Sequence, residues 1–187
     1  TPELQTRHMA VELLSAVVRK GKGLEEEFAR MMDEQDKISP LDGRDRMFVR
    51  LLATTTLRRL GQIDALLKRF LAKPLPDKAA YVTDVLRIAA AQTVFLDTPP
   101  HAAVSTAVSL VKDSLFKGFA GLTNAVLHKV ARDGAKIAAG QDAAKLNIPD
   151  WLLRQWRAEY GADAAEKIAL AGRIRAPLGF TGKDDAG

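Results

Sequence analysis

The chain has 187 residues, 47% of them apolar, a formal charge of +5 and no cysteine. That length suits one large helical domain, or one domain with a short appendage. The missing cysteines exclude disulfides, thiolate zinc sites and a cysteine nucleophile together. No apolar run approaches the roughly 20 residues of a membrane span, and "TPELQTRHMA" has no apolar signal core. A soluble, cytoplasmic protein is expected, with a mild basic excess that suits a polyanionic partner.

The helical period recurs from the first residues onward. Leu4, Val11, Leu14, Val17 and Val18 predict a helix from Leu4 to about Arg19, stopping at "GKG" (21–23). Leu24, Phe28, Met31 and Met32 give a second, inside a shell of six acids between 25 and 36. "SPLDGRDR" (39–46) turns into a third, with Phe48, Leu51, Leu52 and Leu57 on its core face and its end at Gly61. A fourth carries Ile63, Leu66, Leu67, Phe70 and Leu71, and the prolines of "KPLP" (73–76) end it. The alanine-rich stretch from Asp77 to Asp97 is apolar on most of its circumference. It is expected at the centre, with Leu86, Ile88, Val94 and Phe95 in the core.

Asp97 or Thr98 can cap the next helix, and Pro99 and Pro100 suit its first turn. Its face is Val104, Ala107, Val108, Val111 and Leu115. A helix over 118–132 follows, with Phe119, Leu122, Val126, Leu127 and Val130 on one side. Residues after Arg132 read as a polar, small-residue linker. Two shorter helices then form a tail, from "DWLLRQWRAEYG" and "ADAAEKIALAG". The expected fold is all-α, with about seven helices in a bundle and a two-helix tail. The change of composition in "RIRAPLGFTGKDDAG" reads either as an ordinary frayed end or as the approach to another domain.

Charge is unevenly placed. From 44 to 87 there are ten basic residues against Asp45, Asp64, Asp77 and Asp84, a difference of six, while 25–36 carries six acids against Arg30. Such segregation fits a one-sided footprint for phosphates; solvated helix faces with local ion pairs fit it as well. On the 118–132 helix, Lys117, Asn124, His128 and Arg132 share a stripe about 80° wide opposite the apolar side. Asparagine is a mediocre helix former. Asn124 can therefore serve a base edge or phosphate, or tie a neighbouring helix through a loose carbonyl. Lys117, Lys129 and Arg132 are expected to meet nucleic-acid phosphates, with Arg58 and Arg59 extending the track. "GFAG" (118–121) matches a backbone-clamping G-x-x-G loop but lacks the surrounding strands, and a helix-entry turn accounts for it. His8, His101 and His128 are too scattered to suggest a metal site. Nothing in the sequence has the pattern of a catalytic centre.

"RDRMFVRLLATTTLRRLGQIDALL", "PPHAAV", "GLTNAVLHKVAR" and "IPDWLL", in that order, resemble the N-terminal domain of the RsmB (Sun/Fmu) ribosomal RNA cytosine-5 methyltransferases. That domain is itself similar to NusB, the helical antitermination factor. The resemblance implies a NusB-like RNA-binding bundle over 1–140, a helical linker over 141–175 and the start of a truncated methyltransferase domain over 176–187. It implies small-subunit ribosomal RNA as partner together with the protein's own downstream domain, which would carry the catalytic cysteines and bind S-adenosylmethionine. These residues would then be non-catalytic, with no cofactor of their own. Thr55, Thr106 and His128 depart from the family's usual glycine, glutamate and arginine. The alternatives are a NusB-type antitermination factor and a helical protein-interaction module without RNA contact.

Overall fold

The computed structural model describes residues 1–171, and among them there is helix and no strand. Helix α1 runs Pro2–Lys20, α2 Leu24–Asp36, α3 Gly43–Arg58, α4 Leu60–Phe70 and α5 Ala80–Phe95. Then come α6 over Pro100–Lys112, α7 over Ala120–Ala139, α8 over Ala143–Asn147, α9 over Asp150–Tyr160 and α10 over Ala162–Ala171. The expected all-α bundle is present, and its tail holds one more helix, α8. The segment read as the start of a methyltransferase domain, 176–187, lies outside the described residues.

The helix ends follow local chemistry. Gly21 closes α1 at φ 63°, a left-handed turn that suits glycine. The Asp42 carboxylate accepts from the Asp45 amide at 2.7 Å and opens α3. Neither Asp97 nor Thr98 caps α6. Pro99 occupies the cap position, Asp97 takes a positive φ of 52°, and the Thr98 amide donates to the Gln92 carbonyl that ends α5.

The core confirms the centre of the bundle and corrects its edges. Helix α5 packs against α1, α3, α4, α6 and α7, and Leu86 and Ile88 are buried. Leu86→Ala should lower stability by about 2–5 kcal/mol in denaturant unfolding; a loss below about 1 would place α5 at the periphery. Val94 and Phe95, expected beside them, are only half-buried at the end of α5. Leu51 is exposed, because the buried arc of α3 is drawn by Val49, Leu52, Ala53 and Thr56 on the other side. Leu115 is 97% exposed. Helix α6 stops at Lys112, and the Ser114 hydroxyl accepts the Phe116 amide, so the chain turns before Leu115 can join the helical face.

The stretch after Arg132 is helix, not linker. Its small residues let α7 lie close to α4 and α5. A Cβ on Gly134 would come within 2.9 Å of the Val94 Cγ2 and 3.5 Å of Leu66. A smaller cluster of Ala144, Leu153 and Ala169 holds α8–α10 together, with Ile148 and Trp156 against it.

Candidate nucleic-acid interface

Helix α7 buries Ala120, Thr123, Val126, Leu127, Val130 and Gly134. The opposite arc is left to solvent and carries Asn124, His128, Lys129, Arg132 and Lys136. The separation follows from 100° per residue: Lys136, one turn beyond Arg132, continues the same cationic stripe. Leu122, expected on the apolar side, is 37% exposed at the stripe's edge.

The expected site residues separate into groups. Lys129 and Arg132 lie together on the outer arc, where the Arg132 guanidinium donates to Asp133 at 3.0 Å. The Asn124 side chain is exposed and makes no hydrogen bond with another described residue, so the tie to a neighbouring helix has no partner there. Asn124→Ala should therefore change unfolding free energy by less than about 0.5 kcal/mol; a loss of 1–3 would reveal a buried partner. Lys117 is exposed in the short 3-10 turn Lys117–Phe119 before α7.

Arg58 is the last residue of α3 and Arg59 follows it as the C-cap. Arg59 lies at the far end of α7, lining a cleft with Phe95, Ala138, Ala139 and the start of α8. Its guanidinium stacks over the Phe95 ring at 4.5 Å and donates to the Gln62 Oε1 at 3.1 Å. Arg58 is half-buried, with a sequestered Nε that has no hydrogen-bond partner. Burial, and then the like charge of Arg50, push its pKa below the ordinary arginine value.

Tertiary packing also pairs part of the segregated charge. Arg46 pairs with Asp36 and Arg50 with Glu25, so α3 arginines neutralise α2 acids. Arg87, tallied in the basic excess, joins Asp64 and Asp84 inside the bundle. A cationic surface that sequence reasoning did not single out survives at the α4–α7 junction. Arg69, at the end of α4, lines a groove of about 790 Å³ with Lys136, Asp133, Phe70, Ile137 and Leu146. Lys136 could have been found by extending the α7 stripe one turn. Arg69 could not, because nothing local says that α4 lies beside α7.

Among the described residues no group of three or more histidines, cysteines or carboxylates could hold a metal ion, and no helix is long and apolar enough to cross a membrane. Without strands, those residues also lack the strand-to-helix glycine turn that seats nucleotide-like cofactors.

Fold and site together define a helical-bundle domain with a cationic outer face. The chain belongs to the NusB family, whose model matches residues 4–132. It is also similar to proteins named ribosomal RNA small subunit methyltransferase B. The protein of that name from Xanthomonas campestris is 33% identical over 173 residues, covering 92% of this chain and 37% of that protein. The one from Thermus thermophilus is 34% identical over 157 residues, covering 83% and 36%. A Bacillus subtilis protein with the name qualified as probable is 33% identical over 139 residues, covering 71% and 31%. The chain thus spans roughly a third of the length of these relatives.

Proposed function

We propose that this chain is the non-catalytic RNA-binding and RNA-positioning part of a cytoplasmic small-subunit ribosomal RNA cytosine-5 methyltransferase. Residues 1–140 would form the RNA-binding unit, 141–175 a helical linker and 176–187 the entry to the methyltransferase domain. That further domain would hold S-adenosylmethionine and perform the transfer. The observation that carries the reading is the cationic outer arc of α7, on a NusB-family fold whose relatives described above are named for a ribosomal RNA reaction. Lys129, Arg132 and Lys136 would neutralise phosphates there, releasing condensed counterions.

The rival reading, a free antitermination factor, accounts for 4–132 but not for the similarity to methyltransferases that extends over 92% of the chain. The tail also packs on the bundle through α4 and α8.

Binding of the 187-residue chain to a small-subunit ribosomal RNA fragment, titrated with salt, tests the reading. Affinity should fall steeply with salt, and Arg132→Ala and Lys136→Ala should each flatten the log–log slope by up to about one unit. Unchanged slopes for both would remove the α7 face from the binding surface. Calorimetry with S-adenosylmethionine should show no stoichiometric micromolar site on this chain.

A further inference from the structure

We propose that His128 is a phosphate-binding residue that acts only when protonated, so that the RNA affinity of this protein rises as pH falls through the neutral range. The inference rests on the RNA-binding reading and adds to it a residue and a proton. His128 stands within the outer row of α7, with Asn124 one turn before it and Arg132 one turn after. Four residues of helix advance about 6 Å along the axis, so Arg132 and Lys136 follow it at close intervals down the same arc. Its imidazole is exposed and makes no hydrogen bond or ion pair with another described residue.

No acid of the bundle claims that ring. On its own helix the charged neighbours are Lys129, Arg132 and Asp133, and Arg132 holds Asp133 at 3.0 Å. Helix α7 packs against α4, α5, α6 and the turn Lys117–Phe119. Asp64, Lys68 and Arg69 are the charged residues of α4, and Tyr81, Asp84 and Arg87 the titratable or charged ones of α5. Helix α6 adds His101 and Lys112, and the turn adds Lys117. Of these, the two acids are bound to Arg87 inside the bundle, and none of the described groups is paired with His128. The remaining partner for a charged imidazole is the bound polyanion.

The other two histidines have different settings. The His8 Nε2 lies 3.2 Å from the Glu12 Oε1, so an acid of its own helix already serves it. His101 belongs to the first turn of α6. His128 alone shares its row with cations placed to meet phosphates. A neutral imidazole has one N–H donor and one lone pair, and the lone pair repels a phosphate oxygen. The imidazolium has two donors and a charge, and its bond to a phosphate is charge-assisted. A phosphate therefore stabilises the protonated form, and binding takes up a proton wherever the free ring is neutral. Histidine is the side chain that ordinarily changes charge between about pH 5 and 8, whereas lysine and arginine side chains ordinarily keep theirs. The sign follows: RNA binds more tightly on the acid side.

The test titrates the full 187-residue chain with a fluorescein-labelled fragment of small-subunit ribosomal RNA at about pH 6 and about pH 8, each over a range of salt. Affinity should be about three- to tenfold tighter at the lower pH. The log–log salt slope should be steeper there by up to about one unit, because one more cation meets the phosphates. His128→Gln should remove both differences and bind at either pH as the wild type does at the higher one. His128→Arg, a permanent cation, should show the steeper slope at both. His101→Gln should keep the wild-type pH dependence.

Salt-dependent binding that is equal at the two pH values would overturn the proposal while leaving RNA binding standing. So would a pH difference that survives in His128→Gln or disappears in His101→Gln. Absent or salt-insensitive binding at both pH values would instead remove the RNA reading itself, and the proposal with it. Should His128→Gln fail to fold, the wild-type chain still decides the matter. Calorimetric titrations near neutral pH in two buffers of different ionisation enthalpy should show net proton uptake of up to about one per complex, and no uptake would overturn the proposal.

Discussion

Gly61→Ala should release the tail helices from the bundle. Gly61 sits in the first turn of α4, and a Cβ there would lie 1.6 Å from the Leu146 carbonyl oxygen and 2.3 Å from its carbon. The clash is with backbone, so no rotamer change relieves it. Either α8 lifts away or α4 shifts, and α4 is anchored in the core by Ile63, Leu66 and Leu67. Lifting α8 would break the two Asn147–Gln62 hydrogen bonds and the Gln141–Gln62 bond, each worth about 1 kcal/mol net. The expected loss is about 3 kcal/mol of tail-docking stability, together with new proteolytic cleavage between 140 and 150. The bundle of α1–α7 should keep its own cooperative unfolding. Asn147→Ala should produce a milder version, about 1–3 kcal/mol. Unaltered proteolysis and melting in Gly61→Ala would show that α8 does not dock where the structure places it.

Asp84→Ala should destabilise the bundle by about 3 kcal/mol or more. Asp84 is fully buried on α5 and is gripped from two sides. The Arg19 Nε and Nη2 donate to its two oxygens at 2.9 and 3.0 Å, and the Arg87 Nη1 donates at 3.0 Å. Arg87 in turn holds Asp64 through Nε and Nη2 at 2.7 and 2.9 Å, so the chain of charges links α1, α5 and α4. Although burial works against the charged guanidinium, the bonds to Asp64 and Asp84 bring the Arg87 pKa above its ordinary value. Removing the central carboxylate leaves two cations short of partners, one of them largely buried, which is the costly way to break such a network. Asp84→Asn, which preserves shape, should lose less. A loss below about 1 kcal/mol in denaturant unfolding would mean that the network contributes to positioning only.

Several features of the fold were legible before any packing was known. The helix stop at "GKG", the turn "SPLDGRDR" ahead of α3 and the break at "KPLP" depend on residues within a turn or two of one another. The errors have equally local explanations. The run after Arg132 is rich in small and polar residues, as linkers are. Those small residues instead serve an interior approach, with Gly134 against Val94. Leu115 fits the α6 period and fails because the Ser114 hydroxyl offers the backbone another bond. Phe95 is apolar and belongs to the central helix. It lies at that helix's last turn, where it packs only partly buried against the core and Arg59 covers its ring from outside.

The candidate site divides in the same way. The stripe of Asn124, His128, Arg132 and Lys136 was available from the sequence, because 100° per residue sets the angles within one helix. The period does not say which helix lies opposite. That Arg69 stands beside Lys136, that Arg46 and Arg50 meet the acids of α2, and that Arg59 is drawn to Phe95 and Gln62 are facts of the tertiary structure. A count of charges along the chain treats each as free, whereas folding pairs some and leaves others in water. The sequence alone thus determined that this protein is helical and that one helix carries a cationic outer face. Packing decided which cations remain available and what they surround, because those depend on contacts between residues far apart in the chain.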